Sequence, residues 1–293
     1  LEKLPFIPGQ IYTRSSIHDQ YGGNRQSGIC PTANFPYIFI FSGASGHQHG
    51  YVDGWITDDV FVYTGAGQFG DMTFSSGNLA LKDHQTTGKR VFLFTTDKKR
   101  PGVLFEGELE LISFDFEERP DSAGNRRRAI NFLFKRKESK LYIPDLLKET
   151  PAIVSDPGAV YETKPNVTER KGLVTSRVGQ GAYRKKVIVR WDCKCAVTGF
   201  DNLNVLIASH ILPWSAASDE QRVDTNNGIL LSPTYDALFD KHLISFENSG
   251  KIILSDSIKT EAFKKVGVTG NERIQNLSEY NHNYLDHHRE HLR

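Results

Sequence analysis

The run Ala208-Ser-His-Ile-Leu-Pro-Trp214, followed by NNGILLSPTYDALFD from Asn226 to Asp240, sets His210, Asn227 and Asp236 at separations that suit a one-metal phosphodiesterase site. Hydrolysing a phosphodiester needs a base to deprotonate water and a divalent cation to neutralise charge on the phosphate and the leaving oxygen. An imidazole titrates near neutrality, so His210 can be that base. Asp236 is a hard oxygen ligand suited to Mg²⁺ or Mn²⁺. It lies in an apolar-patterned stretch that reads as a helix, where Asp236 and Asp240 stand at i, i+4 and could reach one ion. The residues before His210 are β-rich and Gly228 to Ser232 is a second short apolar run, which gives strand, loop, strand, helix. Asn227, heading the second strand, can pin the intervening loop. Taken singly, each residue also has a structural reading: a packed histidine, a capping aspartate, and for Asp240 a solvated carboxylate.

The pieces CAVTG (Cys195 to Gly199), A-x-HI-x-PW (Ala208 to Trp214), NGILL (Asn227 to Leu231) and LFD (Leu238 to Asp240) resemble a subgroup of the HNH endonucleases. The resemblance implies a ββα-metal fold with His210 as general base, Asn227 as the middle residue and Asp236 as metal ligand. The position before the base, often a ligating Asp or His, is Ser209, a weak ligand. Paired CxxC knuckles are absent, with only Cys193 and Cys195 nearby, so no structural zinc is expected. Upstream, Arg170 to Trp191 contains no acidic residue. Its apolar Tyr183, Val187, Ile188 and Trp191 fall at helical spacing, leaving cations for phosphates, or simply for solvent. Arg177, Arg184 and Lys185 are the DNA-contact candidates, and R-x-GQ-x-x-YR (Arg177 to Arg184) is similar to the lead-in of the same subgroup.

The chain has 293 residues, enough for two domains, and its net charge of +1 restricts any nucleic-acid surface to a local patch. Three cysteines at spacings that suggest no disulfide framework, no leader-like start and no apolar stretch of membrane-spanning length point to a soluble, cytoplasmic, prokaryotic protein with no membrane partner. Residues 5–137 are rich in Gly, aromatics and short β-patterned runs, and 138–172 read as a linker holding one short helix. Residues 173–293 form the second domain, closing on a His- and Arg-rich helix. The fold class expected is α+β.

Within the first domain, Gly50 to Met72 carries Tyr51, Asp53, Tyr63 and Thr64 among glycines. Two aromatic faces and a carboxylate acceptor make a sensible pocket for a cytosine, although tyrosines in a β domain also pack as core. The motifs GY-x-D (Gly50 to Asp53), YTG-x-G (Tyr63 to Gly67) and GN-x-A-L (Gly77 to Leu81) resemble the SRA domain. That resemblance implies a PUA-like twisted β-barrel that flips 5-methylcytosine out of the duplex. Tyr51 and Tyr63 would stack on the base, Asp53 would read its Watson–Crick edge and Thr64 would line the methyl side. Gly54 stands where the family often has a second acid, which leaves Asp71 as a fallback acceptor. Arg25, in the loop from Ile17 to Ile29, would approach a groove, and Arg126 to Arg128 would touch phosphates. The joint expectation is a modification-dependent, Mg²⁺- or Mn²⁺-dependent DNA endonuclease. Its partner would be double-stranded DNA containing 5-methyl- or 5-hydroxymethylcytosine, and it would act as a homodimer. A non-catalytic reader of modified DNA and a nuclease without modification dependence remain alternatives.

Overall fold

Alternating apolar residues in the first half of the chain build a single large sheet. The computed structural model describes residues 5–43, 53–96, 101–148 and 181–293, in two compact units that divide between Ala182 and Tyr183. The first unit runs β1 (Ile11–Tyr12), α1 (Arg14–Tyr21), β2 (Ile29–Pro31), β3 (Tyr37–Ser42), β4 (Gly54–Trp55) and β5 (Val60–Thr64). It continues through α2 (Ser76–Lys82), β6 (Arg90–Thr95), β7 (Val103–Pro120), β8 (Arg126–Arg136) and α3 (Asp145–Lys148). Strand order is β2-β3-β6-β7-β8-β5-β4, with β1 added on β7; β3 and β6 pair parallel and every other pair is antiparallel.

Period-2 alternation sorts the side chains of β3 into two cores. Ile38 and Ile40 join Phe61, Tyr63, Leu93, Phe132 and Phe134, whereas Phe39 and Phe41 join Phe6, Phe92, Phe94 and Phe105. No strand pairing among the described residues closes the sheet on itself. The two ends are instead tied by Tyr63, whose hydroxyl on β5 donates to the carbonyls of Gly28 (2.9 Å) and Phe41 (3.3 Å), beside β2 and on β3. Residues from Glu138 to Lys148, read from sequence as the start of a linker, pack on this unit. Ser139 Oγ donates to Asp59 Oδ2 (2.7 Å), and Ile143 and Leu147 are buried.

The second unit contains α4 (residues 181–190), β9 (Ile207–His210), α5 (Asp219–Val223), β10 (Gly228–Leu231) and α6 (Pro233–Asp240). Beyond these lie β11 (Ile244–Phe246), β12 (Ile252–Leu254), α7 (Thr260–Lys265) and α8 (His282–Glu290). β9 and β10 form an antiparallel pair with His210 opposite Gly228, and α6, opened by Pro233, packs on both strands. This is the ββα order expected from the sequence. The apolar stripe of α4 is buried, and Trp191 Nε1 donates to Gly228 O (2.9 Å). Gly228 is required by this packing: a Cβ there would lie 2.5 Å from the Tyr183 hydroxyl and 2.6 Å from Val187 Cγ2.

α8 closes the unit through Leu285 and His288. The His288 ring stacks on Phe239 at 3.8 Å. Its Nε2–H donates to Phe239 O (3.1 Å) and its Nδ1 accepts from Ser245 Oγ (3.0 Å). Burial, reinforced by the neighbouring His242, pushes the imidazole down to about 4. The unfolded chain therefore takes up this proton first as pH falls. The contribution is complete above the ordinary imidazole value and is lost on acidification towards pH 4, at a cost on the order of 3 kcal/mol. Urea titrations across that window should show a falling midpoint for the C-terminal unit, and His288→Gln should remove most of the slope; equal slopes in the two proteins would contradict this assignment.

Candidate functional site

In the ββα unit, Ser209 and His210 are consecutive on β9, so their side chains leave the strand on opposite faces. Ser209 faces α6, where its hydroxyl donates to Asp236 Oδ1, and Asp236 sits in the first turn of that helix. His210, the last residue of β9, stacks on Tyr183 (ring centroids 4.1 Å apart, planes 8° apart) and meets the edge of Trp214 at 5.6 Å. Its Nε2 lies 3.0 Å from Arg222 O. A carbonyl only accepts, so Nε2 carries the hydrogen and Nδ1 carries the lone pair. Burial lowers the pKa of the ring against the opposing effect of that hydrogen bond, which keeps the imidazole in its basic form.

Asn227 does not project towards this face. It is fully buried, and its Oδ1 accepts from Leu212 N (2.7 Å) while Nδ2 donates to Gln221 O (3.0 Å) and Leu212 O (3.3 Å). Its own carbonyl accepts from Ile211 N (3.0 Å) and the Tyr183 hydroxyl (2.9 Å). Its side-chain amide is thus engaged in holding the β9–β10 connection. Asp240 is exposed and paired with Lys241 (2.8 Å). Among the described residues, the only three His, Cys, Asp or Glu ligand atoms within 4.8 Å of one another belong to α8. Asp236 is thus engaged with Ser209 and Asp240 with Lys241, at i and i+4 along α6.

The cationic candidates divide similarly. Arg184 is a structural cation, donating to Leu206 O and Leu203 O at 2.7 Å each, and burial lowers its pKa. Lys185 is half-buried on α4, and Arg177 lies outside the described residues. Arg25 is exposed and paired with Asp19. Arg222 lies over the Trp214 ring at 5.0 Å and donates to Trp214 O (3.0 Å), which accounts for the Trp of the HI-x-PW motif.

The first unit holds a cavity of about 440 Å³ between the ends of β3 and β5, in the size range of small-ligand sites. Asp53, Tyr63, Thr64, Ser42 and Arg14 line it together with Gly28 and residues 65–68. Asp53 Oδ1 accepts from Thr64 N (2.8 Å). Burial raises the pKa of this carboxyl in spite of that bond and those from the Ser42 and Thr64 side chains. Tyr63 reaches the cavity, but its ring is core and its hydroxyl is engaged as described above. Tyr51 lies outside the described residues. Asp71 does not line the cavity; it accepts from Arg128 N (2.7 Å). Of the three consecutive arginines, Arg127 is buried and donates to Gly67 O on the cavity loop, and Arg128 lies over Phe116 at 4.7 Å.

Three positioning residues were not singled out as such by sequence. Asn78 is buried and holds the cavity loop, accepting from Ala66 N (2.7 Å) and donating to Ala66 O (2.8 Å) and Thr73 O (2.9 Å). Its signal was the GN-x-A-L motif. Tyr183, which walls His210, was visible only as one member of an apolar stripe. Arg14, over Phe41 at 4.1 Å, carried no sequence signal.

Comparison with known proteins supplies families for both units. Residues 8–145 match the ScoMcrA-like SRA domain family and residues 195–247 match the HNH endonuclease family. The chain joins an SRA domain to an HNH endonuclease domain. No curated protein matches it. Among solved structures it is similar to the type IV phosphorothioation-dependent restriction endonuclease ScoMcrA, at 18% identity and a TM-score of 0.42, over 80% of this chain and 59% of that one. The chain thus spans about 59% of that relative's length. It is also similar to the modification-dependent TagI restriction endonuclease (16% identity, TM-score 0.35, 98% of this chain and 93% of that chain). A third likeness is the SUVH5 SRA domain in complex with methylated CHH DNA (24% identity, TM-score 0.36, 48% of this chain and 97% of that chain). Among the described residues, no helix is long and apolar enough to cross a membrane.

Asn227→Ala in the HNH domain would leave the Leu212 amide and the Leu212 and Gln221 carbonyls without their buried partner, at about 1–3 kcal/mol for each group that water cannot reach. The expected result is a lower denaturation midpoint for the C-terminal unit with the SRA unit unaffected, measured by urea unfolding with domain-specific tryptophan fluorescence.

Proposed function

We propose that this chain is a modification-dependent DNA endonuclease that tests a flipped, modified cytosine in the SRA cavity and hydrolyses phosphodiesters at the HNH hairpin. The observation that carries the reading is the polarity of His210, with Nε2–H held by a backbone carbonyl and Nδ1 left as the basic nitrogen, on the strand whose other face carries the Ser209–Asp236 pair. Consecutive Cα atoms lie only ~3.8 Å apart, so a phosphate lodged at the end of β9 lies within reach of both faces of the strand.

An HNH domain works with a divalent metal ion, and the donor set here fits a hard one. Asp236 and Ser209 offer only oxygens, and Mg²⁺ is commonly held by one or two carboxylates, water and substrate phosphate. Bound there, the ion would neutralise charge on the phosphate and the leaving oxygen. His210 Nδ1 takes a proton from water as the water oxygen attacks phosphorus, the bond from phosphorus to the leaving sugar oxygen breaks, and the sugar oxygen takes up a proton from solvent. Tyr183 and Trp214 hold the imidazole in plane, and Arg222 O fixes its tautomer. In the SRA cavity, Asp53 faces the base with a carboxyl that burial biases towards the protonated form, so it can both donate and accept along a Watson–Crick edge.

Two outcomes are expected. His210→Ala should reduce cleavage of methylated plasmid by about 10²–10⁴-fold, the usual contribution of a general base, while duplex binding in gel shift is unchanged. Asp53→Ala should preserve nicking of DNA but shrink the preference for modified over unmodified plasmid in a panel carrying cytosine, 5-methylcytosine or 5-hydroxymethylcytosine. Intact plasmid in every arm, with binding retained, would instead identify a reader of modified DNA that does not cut.

A further inference from the structure

Helix α8 carries a second cluster of ligating groups, away from the Ser209–Asp236 pair. His287, Glu290 and His291 stand at i, i+3 and i+4, offsets that bring side chains onto one helix face. One ligand atom from each lies within 4.8 Å of the other two. The His287 and His291 rings are 4.9 Å apart and inclined by 22°, and His242, just beyond the end of α6, comes within 5.6 Å of His291.

Hydrogen bonding decides which nitrogens are available. His291 Nδ1 donates to His287 O (3.0 Å), which leaves Nε2 with its lone pair. His287 Nδ1 and His242 Nδ1 are both buried without a hydrogen-bond partner. The fourth nearby imidazole, His288, differs: both its nitrogens are engaged, by Ser245 and Phe239, and it serves packing alone. Buried polar atoms normally have partners, so two orphan nitrogens flanking one histidine–glutamate face call for an occupant.

We infer that His287, Glu290 and His291 bind a transition-metal dication of the Zn²⁺ class, with His242 placed to supply a fourth ligand. Two or three imidazoles and one carboxylate match the ligand preference of zinc, and differ from the all-oxygen set at Asp236. This site runs against the sequence expectation of no structural zinc, which rested on the absence of paired cysteine knuckles. Through His242, the ion would tether α8 to the end of α6, the helix that presents Asp236. A solvent-facing ion held by three protein ligands and His242 is a clamp; no chemistry is assigned to it.

The test is calorimetric titration of ZnCl₂ into the full chain with Mg²⁺ in excess, together with the thermal midpoint with and without Zn²⁺. Saturable uptake of one Zn²⁺ per chain and a raised midpoint are expected, both retained in Asp236→Ala and both lost in the double variant His287→Ala/His291→Ala. Glu290→Gln, an exposed substitution that should leave the fold intact by circular dichroism, is expected to weaken uptake. No saturable uptake, uptake unchanged by both α8 variants, or uptake abolished by Asp236→Ala would overturn the inference; the last would place the ion at the HNH site while leaving the nuclease reading untouched.

Discussion

The HNH domain depends on one buried side-chain amide. The connection from β9 to β10 has no strand partner for much of its backbone, and backbone groups taken from water must find partners elsewhere. Asn227 offers one acceptor and two donors, and all three meet that loop at Leu212 and Gln221. The consequence passes along the chain to Arg222, whose carbonyl then stands where it fixes the hydrogen of His210 on Nε2. Asn227 thereby acts on the His210 ring through the backbone. Tyr183 serves both ends of this arrangement, with its hydroxyl on Asn227 O and its ring against His210.

The SRA domain uses the same device for a different end. Asn78, on α2, holds the loop after β5 by both faces of the Ala66 peptide, and Gly65 must lack a side chain because a Cβ there would lie 2.9 Å from Asn78 Oδ1. The loop so held forms one wall of the cavity, and Asp53 is bound to the residue before it, Thr64 at the end of β5. Tyr63 contributes chiefly as a tie between the sheet's two ends. A tyrosine whose hydroxyl meets two carbonyls is less free to tilt against a ligand than one held by its ring alone, so the cavity is built largely in advance.

The two aspartates that matter most are placed in contrasting surroundings. Asp53 is packed where burial opposes its charge. Asp236 stays half-buried at a helix start, where an anion is favoured and a cation can approach. Neither environment follows from the residue type.

The sequence by itself determined the order of the elements and the members of the motifs. Period-2 runs became β3, β5, β6 and β8, the strand–loop–strand–helix reading became β9, β10 and α6, and the SRA and HNH resemblances agree with the families matched by residues 8–145 and 195–247. These are local properties, legible because each depends on neighbours a few positions away. The tertiary structure decided where the side chains go. It paired β3 with β6 in parallel, joined Ser209 to Asp236 while leaving Asp240 with Lys241, set Arg184 on the Leu203 and Leu206 carbonyls, and gathered four histidines around α8. Periodicity says which face a residue occupies. What covers that face comes from segments distant in sequence, as Tyr63 meeting Gly28 and Tyr183 meeting Asn227 both illustrate, and only packing brings them together.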